Sequence, residues 1–131
     1  MAQPDKHGNK TPNDALRAFT NRPTYGFCDV KLPDNATITA VHSYGFDNNP
    51  LQAMTFSLRK AQWGCENYSA IATFSSTDNV GGCTSSLWSS AAVAEAVNNA
   101  SYTYWYFFEI PYSADPDDLR LWNLEIVYTV P

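Results

Sequence analysis

The chain has few charged residues and almost no histidine. Only 16% of its 131 residues are charged and two are histidine, whereas 44% are hydrophobic and 15% aromatic. This composition is too apolar for a disordered chain and predicts a single folded domain. Eight basic residues against thirteen acidic ones give a net charge of −5, which argues against a nucleic-acid partner. No apolar run approaches the roughly 20 residues that span a bilayer, so membrane insertion is not expected.

Motifs of the common catalytic sites are missing. The sequence has no G-x-S-x-G, H-E-x-x-H, phosphate-binding loop or dinucleotide fingerprint. His7 and His42 are far apart, and the acidic residues in the predicted strands occur singly. We therefore expect no enzyme, no cofactor and no metal. A hydrolase with two facing carboxylates stays a third hypothesis, because spacing alone does not exclude it.

Helix signals are scarce, and short alternating runs rich in Tyr, Phe, Val, Ile and Thr dominate. One or two helical turns are predicted over residues 12–19, and the alanine-rich residues 91–97 are compatible with either helix or strand. Turn-forming Pro, Asn, Asp and Gly separate the runs. The resulting order favours an all-β, antiparallel β-sandwich of jelly-roll type. Its strands are predicted near 24–32, 36–46, 53–61, 67–75, 84–89, 92–97, 101–110 and 118–129.

Two strands predict the core. Along 101–110, the even-numbered residues from Tyr102 to Ile110 form an apolar face, which leaves Trp105 and Phe107 pointing outward. In the last strand, Leu119 and Leu121 lie out of phase with Leu124, Ile126 and Tyr128, so a bulge near Trp122-Asn123 is needed to turn both sets inward. Ile38, Phe56 and Leu58 are also predicted to face inward.

The first 23 residues differ in charge from the rest. Four basic residues, Lys6, Lys10, Arg17 and Arg22, outnumber two acidic ones and give +2, whereas residues 24–131 carry four basic and eleven acidic residues, or −7. We therefore divide the chain into a polar, mildly basic N-terminal arm (1–23) and a β-sandwich domain (24–131). The arm is either a solvated terminus or a segment that docks on the acidic surface of a neighbouring copy.

Two motifs, Val30 to Thr39 and Leu119 to Thr129, occur in an order that resembles an uncharacterised module of secreted bacterial proteins. That module has the pattern V-x-L-P-D-[GN]-A-x-[IV]-T, and closes with L-R-L-x-x-[VIL]-x-I-x-Y-T. Here the first motif is Val30 to Thr39 and the last is Leu119 to Thr129, and the likeness spans about residues 24–130. The resemblance implies a β-sandwich and no established activity. Asn35 stands where the family usually has Gly, and Asn tolerates the left-handed backbone of such a turn.

Cysteines and acidic turns offer few ligands. Cys28 shares a face with Val30 and is expected to fill space in the core. Cys65 and Cys83 flank one predicted strand, and a disulfide between them would favour an oxidising compartment. Zinc is not expected, since no C-x-x-C pair is present. The turns at Asp47-Asn48-Asn49 and Asp115 to Asp118 could bind calcium only if the fold brought them together, and turn formation alone also explains them.

Outward aromatic residues carry the functional prediction. Trp105, Phe107, Trp122 and Val127 are expected on outer sheet faces, which are normally polar in a sandwich. They predict a surface covered by a partner, although the chain's own loop 76–91 could cover it instead. We expect a structural, self-assembling extracellular or virion-surface module whose arm reaches a neighbour. The alternative is a carbohydrate-binding module that presents Trp63, Trp88 or Trp122 to a glycan.

Overall fold

The computed structural model describes residues 16–77 and 86–131, and its ordered elements are all β-strands. Eight of the nine strands in the described residues fall within or close to the eight predicted ranges, whereas β1 was not predicted. The described residues contain no helix and so none that could cross a membrane. They are β1 (Leu16–Arg17), β2 (Thr24–Val30), β3 (Thr37–Asp47), β4 (Thr55–Gln62), β5 (Ser69–Ser75), β6 (Ser86–Ser89), β7 (Glu95–Ala96), β8 (Tyr102–Ile110) and β9 (Leu119–Thr129).

The strands form two antiparallel sheets that pack face to face. The five-stranded sheet has the order β1-β9-β3-β6 with β7 also pairing with β3, and the four-stranded sheet has the order β2-β8-β4-β5. Apart from β7 and the β4–β5 hairpin, consecutive strands alternate between the two sheets. The two sheet orders, with consecutive strands alternating between the sheets, match the topology of a jelly roll. The predicted antiparallel β-sandwich is therefore confirmed.

The core lies between the sheets where strand alternation predicted it. Tyr104, Tyr106, Phe108 and Ile110 of β8 are buried, as expected from their two-residue spacing. Ile38, Phe56 and Leu58 are fully buried as well, which confirms their predicted orientation. The hydroxyl of Tyr106 lies 2.6 Å from Ser43 Oγ and donates to the His42 carbonyl of the facing sheet at 3.1 Å.

The predicted bulge in β9 occurs at Trp122. Tyr44 pairs with Asn123 and Gly45 pairs with Leu121, so Trp122 has no opposite residue on β3. Leu119 and Leu121 before the bulge are buried, and Leu124 and Ile126 after it pack against the core. The prediction was wrong for Tyr128, which is 41% exposed. A second register shift between Ile38 and Ala40 adjoins it, and such irregularities re-aim nearby side chains.

The end of the N-terminal arm is part of the sandwich. Leu16 pairs with Leu121 and Arg17 with Arg120, and Ala18 is buried. Helical turns predicted over residues 12–19 are therefore wrong from Leu16 onward, because backbone pairing with the edge of β9 satisfies these residues. Residues 12–15 lie outside the described residues.

Two other local predictions concern Asn35 and residues 91–97. Asn35 has a φ of 66°, so this turn tolerates Asn in the left-handed conformation, as expected. In the 91–97 segment only Glu95–Ala96 forms a strand, which pairs with the start of β3.

Candidate interaction surface on the four-stranded sheet

The outer face of the four-stranded sheet is rich in aromatic residues. In β2 the side chains of Tyr25 and Phe27 point outward, and in β8 those of Trp105 and Phe107 do so. The antiparallel register sets Phe27 directly opposite Phe107. We call Tyr25, Phe27, Tyr68, Trp105 and Phe107, together with Arg59, the aromatic face.

Three of these rings remain open to solvent. Tyr25 is 59% exposed, Phe27 70% and Tyr68 52%. Trp105 and Phe107 are partly covered by their neighbours, since Tyr68 meets Trp105 edge-on with ring centroids 5.9 Å apart and Tyr25 lies 6.2 Å from Phe107. Aromatic rings therefore supply part of this cover, and Arg59 supplies another part.

Arg59 of β4 holds the centre of the aromatic face. Its guanidinium carbon lies 3.9 Å from the ring centroid of Phe107 and 4.3 Å from that of Tyr68. Its Nε donates to Ser57 Oγ at 2.9 Å. Stacking of this kind combines cation–π attraction with packing of a weakly hydrated planar ion. A shallow cavity of about 240 Å³ opens between Arg59, Tyr68 and Phe107.

Carboxylates border the aromatic face. Glu109 lies opposite Tyr25, and Asp29 lies opposite Trp105. A hydrogen bond with the Glu109 carboxylate raises the pKa of the Tyr25 hydroxyl above its usual range. The surface can therefore bury apolar rings in its middle while offering hydrogen-bond acceptors at its border, an anatomy common in protein interfaces.

The sequence-predicted interface residues fall on two surfaces. Trp105 and Phe107 belong to the aromatic face, whereas Trp122 and Val127 lie on β9 of the opposite sheet. There Arg120 covers the aromatic side chains, with its guanidinium carbon 4.4 Å from the Phe46 centroid and 5.4 Å from the Trp122 centroid. No single partner surface can therefore contact all four predicted residues at once.

The basic residues of the arm have contacts within the same chain. Arg17 Nε donates to Asp117 Oδ1 at 2.9 Å, and the guanidinium of Arg22 lies 4.5 Å from the Phe19 ring centroid. Lys6 and Lys10 lie outside the described residues.

The cysteine predictions have different outcomes. Cys28 points toward the core and packs against it, which confirms its role as a space-filling residue. Cys65 is exposed, and its Sγ lies 3.9 Å from Gln62 Oε1. Cys83 lies outside the described residues, so the Cys65–Cys83 disulfide stays a prediction.

The two acidic turns do lie side by side. The Asn48 amide donates to the Asp118 carbonyl at 2.8 Å, and Asn49 Nδ2 donates to Ser113 Oγ at 3.2 Å. Asp47 is buried and accepts from the Asn49 amide at 3.0 Å and from the Ser76 hydroxyl. Because the Asp47 carboxylate accepts a hydrogen bond within its own turn, turn formation alone explains this acidic residue. Within residues 16–77 and 86–131, no group of three or more candidate metal-ligating side chains is present.

Sequence reasoning missed Tyr25, Phe27, Arg59 and Tyr68 as surface residues. The alternation of Thr24–Val30 contained the signal for the first two, because Cys28 and Val30 occupy the inner phase. Trp88, proposed as a glycan platform, is buried and stacks on Phe56 with centroids 6.2 Å apart, so that assignment was wrong.

Comparison with known proteins adds no relative to this geometry: no family model, no curated protein and no solved structure matches the chain. The resemblance to a module of secreted bacterial proteins accordingly stays a prediction.

Proposed function

We propose that this protein is a non-enzymatic structural module that assembles with copies of itself, as a subunit of an extracellular filament or appendage or as a virion surface protein. The observation that carries the proposal is the aromatic face. Outer faces of sandwiches are normally polar, and a contiguous apolar surface on a soluble domain marks an interaction site.

The composition of the aromatic face suits a protein partner. Tyr, Trp, Phe and Arg are the residues enriched in interface cores and among binding hot spots. Phe27, as the most exposed ring of the face, projects where a partner would bury it. The jelly-roll order adds support by analogy, because this architecture is used in viral capsid proteins and in lectins.

The N-terminal arm provides a second contact in this proposal. Its charge of +2 opposes the −7 of residues 24–131, and complementary charges favour docking on a neighbouring subunit. Because Leu16 and Arg17 are fixed to β9, the arm would reach the neighbour from a defined point on the sandwich.

The test is the molar mass in solution, measured by size exclusion with light scattering over a wide range of protein concentration. Wild-type protein should exceed the monomer mass increasingly as the concentration rises. Phe27→Ser should raise the dissociation constant about tenfold or more, as loss of an interface anchor does. Leu51→Ser is the matched control, because Leu51 is 91% exposed in the loop between β3 and β4 and lies off the aromatic face.

Two results would contradict the proposal. A wild-type monomer at every concentration removes self-assembly, and equal effects of Phe27→Ser and Leu51→Ser remove the aromatic face as its site. Lys6→Glu together with Lys10→Glu, which changes the charge of the arm from +2 to −2, tests the arm separately. Weaker association at low salt, with the wild-type circular dichroism spectrum retained, is the expected result for a docking arm.

A further inference from the structure

Trp63 is exposed but held in one orientation. Its side chain is 57% exposed, yet its indole Nε1 donates to the Asn99 carbonyl at 2.9 Å and its backbone amide donates to the Ser101 carbonyl at 3.1 Å. It lies directly after β4, where Gly64 turns the chain with a φ of 80°. The fold therefore presents a large, rigid aromatic surface to solvent at the end of the sandwich, away from the aromatic face.

A cavity of about 250 Å³ adjoins this ring. Its lining combines aromatic and polar groups: Lys31, Trp63, Asn99, Tyr102, Thr103 and Tyr104, with Val30 and Leu32. Asn99 is fixed there, because its backbone N–H donates to Asp34 Oδ1 and its side-chain Nδ2 donates to the Leu32 carbonyl, both at 2.8 Å. Pockets that recognise small polar ligands have this mixture of rings and a few fixed polar groups.

Three polar groups at this cavity retain hydrogen-bonding capacity. In the described part of the chain, Asn99 Oδ1, Thr103 Oγ1 and Lys31 Nζ make no side-chain hydrogen bond. They offer an acceptor, a group that both donates and accepts, and a cationic donor. A ligand that matches them must carry several hydroxyl groups as well as one apolar face.

A pyranose ring meets both requirements. Its axial C–H groups form an apolar face that stacks on an indole ring, and its hydroxyls donate and accept hydrogen bonds at the rim. A second cavity of about 440 Å³ shares Tyr102 with the first and is lined by Lys60, Gln62 and Asn67 among others. A second sugar unit can occupy it, so an oligosaccharide fits better than a monosaccharide.

We propose that the Trp63 cavity is a glycan-binding site that stacks one pyranose on the indole ring. This function is additional to self-assembly and uses none of the residues of the aromatic face except Tyr68, which borders the second cavity. Asn99, Thr103 and Lys31 hydrogen-bond the sugar hydroxyls, and Tyr102 separates the two sugar units.

The experiment is isothermal titration calorimetry of the full chain with chitotriose, cellotetraose, maltotetraose, mannotriose and sialyllactose. At least one should bind the wild-type protein and change its tryptophan fluorescence. Trp63→Ala should weaken that binding at least tenfold, and Trp63→Phe should restore part of it, because a smaller ring still stacks. Thr103→Val should weaken binding severalfold through loss of one hydrogen-bonding group.

Phe27→Ser is the matched control, since it removes an exposed ring elsewhere and should leave glycan affinity unchanged. Conversely, Trp63→Ala should leave the molar mass in solution unchanged. Binding by none of the five oligosaccharides up to a free concentration of about 10 mM overturns the proposal. Equal binding by wild-type protein and the correctly folded Trp63→Ala variant overturns it as well, and neither result bears on self-assembly.

Discussion

The two outer faces of this sandwich treat their aromatic residues differently. On the five-stranded sheet Phe46 is almost fully buried beneath Arg120, and farther along β3 His42 Nδ1 lies 2.9 Å from Glu125 Oε1 as a polar pair. On the four-stranded sheet Arg59 covers only the centre of the face, and Phe27 stays open.

This difference shows that the stacking of arginine on aromatic rings can serve two purposes on the face of a sheet. Arginine stacking hides apolar surface where a ring is fully enclosed, whereas on the four-stranded sheet it braces rings that remain accessible. Stability should therefore depend more on the covered five-stranded face, and association more on the open four-stranded face. Each substitution below is chosen to break or to sharpen that contrast.

The largest expected effect comes from Gly45→Ala, which adds a methyl group where β3 and β9 of the five-stranded sheet approach closely. A Cβ at this position would lie 2.2 Å from the Arg120 carbonyl oxygen and 2.9 Å from the Trp88 ring. Backbone at a bulge cannot move aside without disturbing Trp122 and Arg120, so we expect a loss of about 3 kcal/mol in the free energy of unfolding. Urea denaturation followed by circular dichroism measures it.

Ser89→Thr is the control for Gly45→Ala. It adds a methyl group to β6 of the same sheet, but at an exposed position, where substitutions usually change stability by less than about 0.5 kcal/mol. If the two substitutions cost the same, close approach of β3 and β9 at Gly45 is not what requires glycine.

Comparison of Arg120→Ala with Arg59→Ala tests the two arginines directly. Phe46 beneath Arg120 is almost free of solvent, whereas Tyr68 beside Arg59 is about half exposed. Cation–π contacts are stronger when desolvated, so Arg120→Ala should cost about 2 kcal/mol and Arg59→Ala about 1 kcal/mol. The free energy of unfolding of both variants is measured by urea denaturation at one pH and salt concentration. Equal losses, or a larger loss for Arg59→Ala, would refute the proposed division between the faces.

The positions of the strands from β2 onward were predictable because each of these strands carries its own local signal. Turn residues such as Pro33-Asp34-Asn35 and Asp47-Asn48-Asn49 separate runs with a clear two-residue period, and these signals do not depend on distant contacts. Even the bulge at Trp122 could be predicted, because Leu121 and Leu124 cannot both face inward in a regular strand.

The sites were harder to predict because they depend on contacts between distant residues. In the short strand β6, Leu87 and Trp88 are both apolar and point to opposite faces, so the period alone does not tell which is buried. The cover of Phe107 by Arg59 joins residues 48 positions apart, and no local pattern encodes it. The cavity beside Trp63 likewise depends on Asn99, which follows β7.

The smallest expected effect concerns the border of the aromatic face, where Tyr25 meets Glu109. The hydrogen bond with the carboxylate favours the protonated hydroxyl, so the pKa of Tyr25 is raised in the folded protein. A raised pKa contributes stability that is fully present below the unfolded value near 10 and is lost as the pH rises through the folded value.

Glu109→Gln removes the carboxylate charge and should lower the pKa of Tyr25 toward its ordinary value near 10. Spectrophotometric titration of the phenolate absorbance measures the shift, with Tyr25→Phe identifying which transition belongs to Tyr25. Asp29→Asn, also on this face but opposite Trp105, should leave the titration of Tyr25 unchanged. If both substitutions shift it equally, the general negative charge of the domain raises the pKa, and the border of the face has no specific Tyr25–Glu109 bond that a partner would have to break.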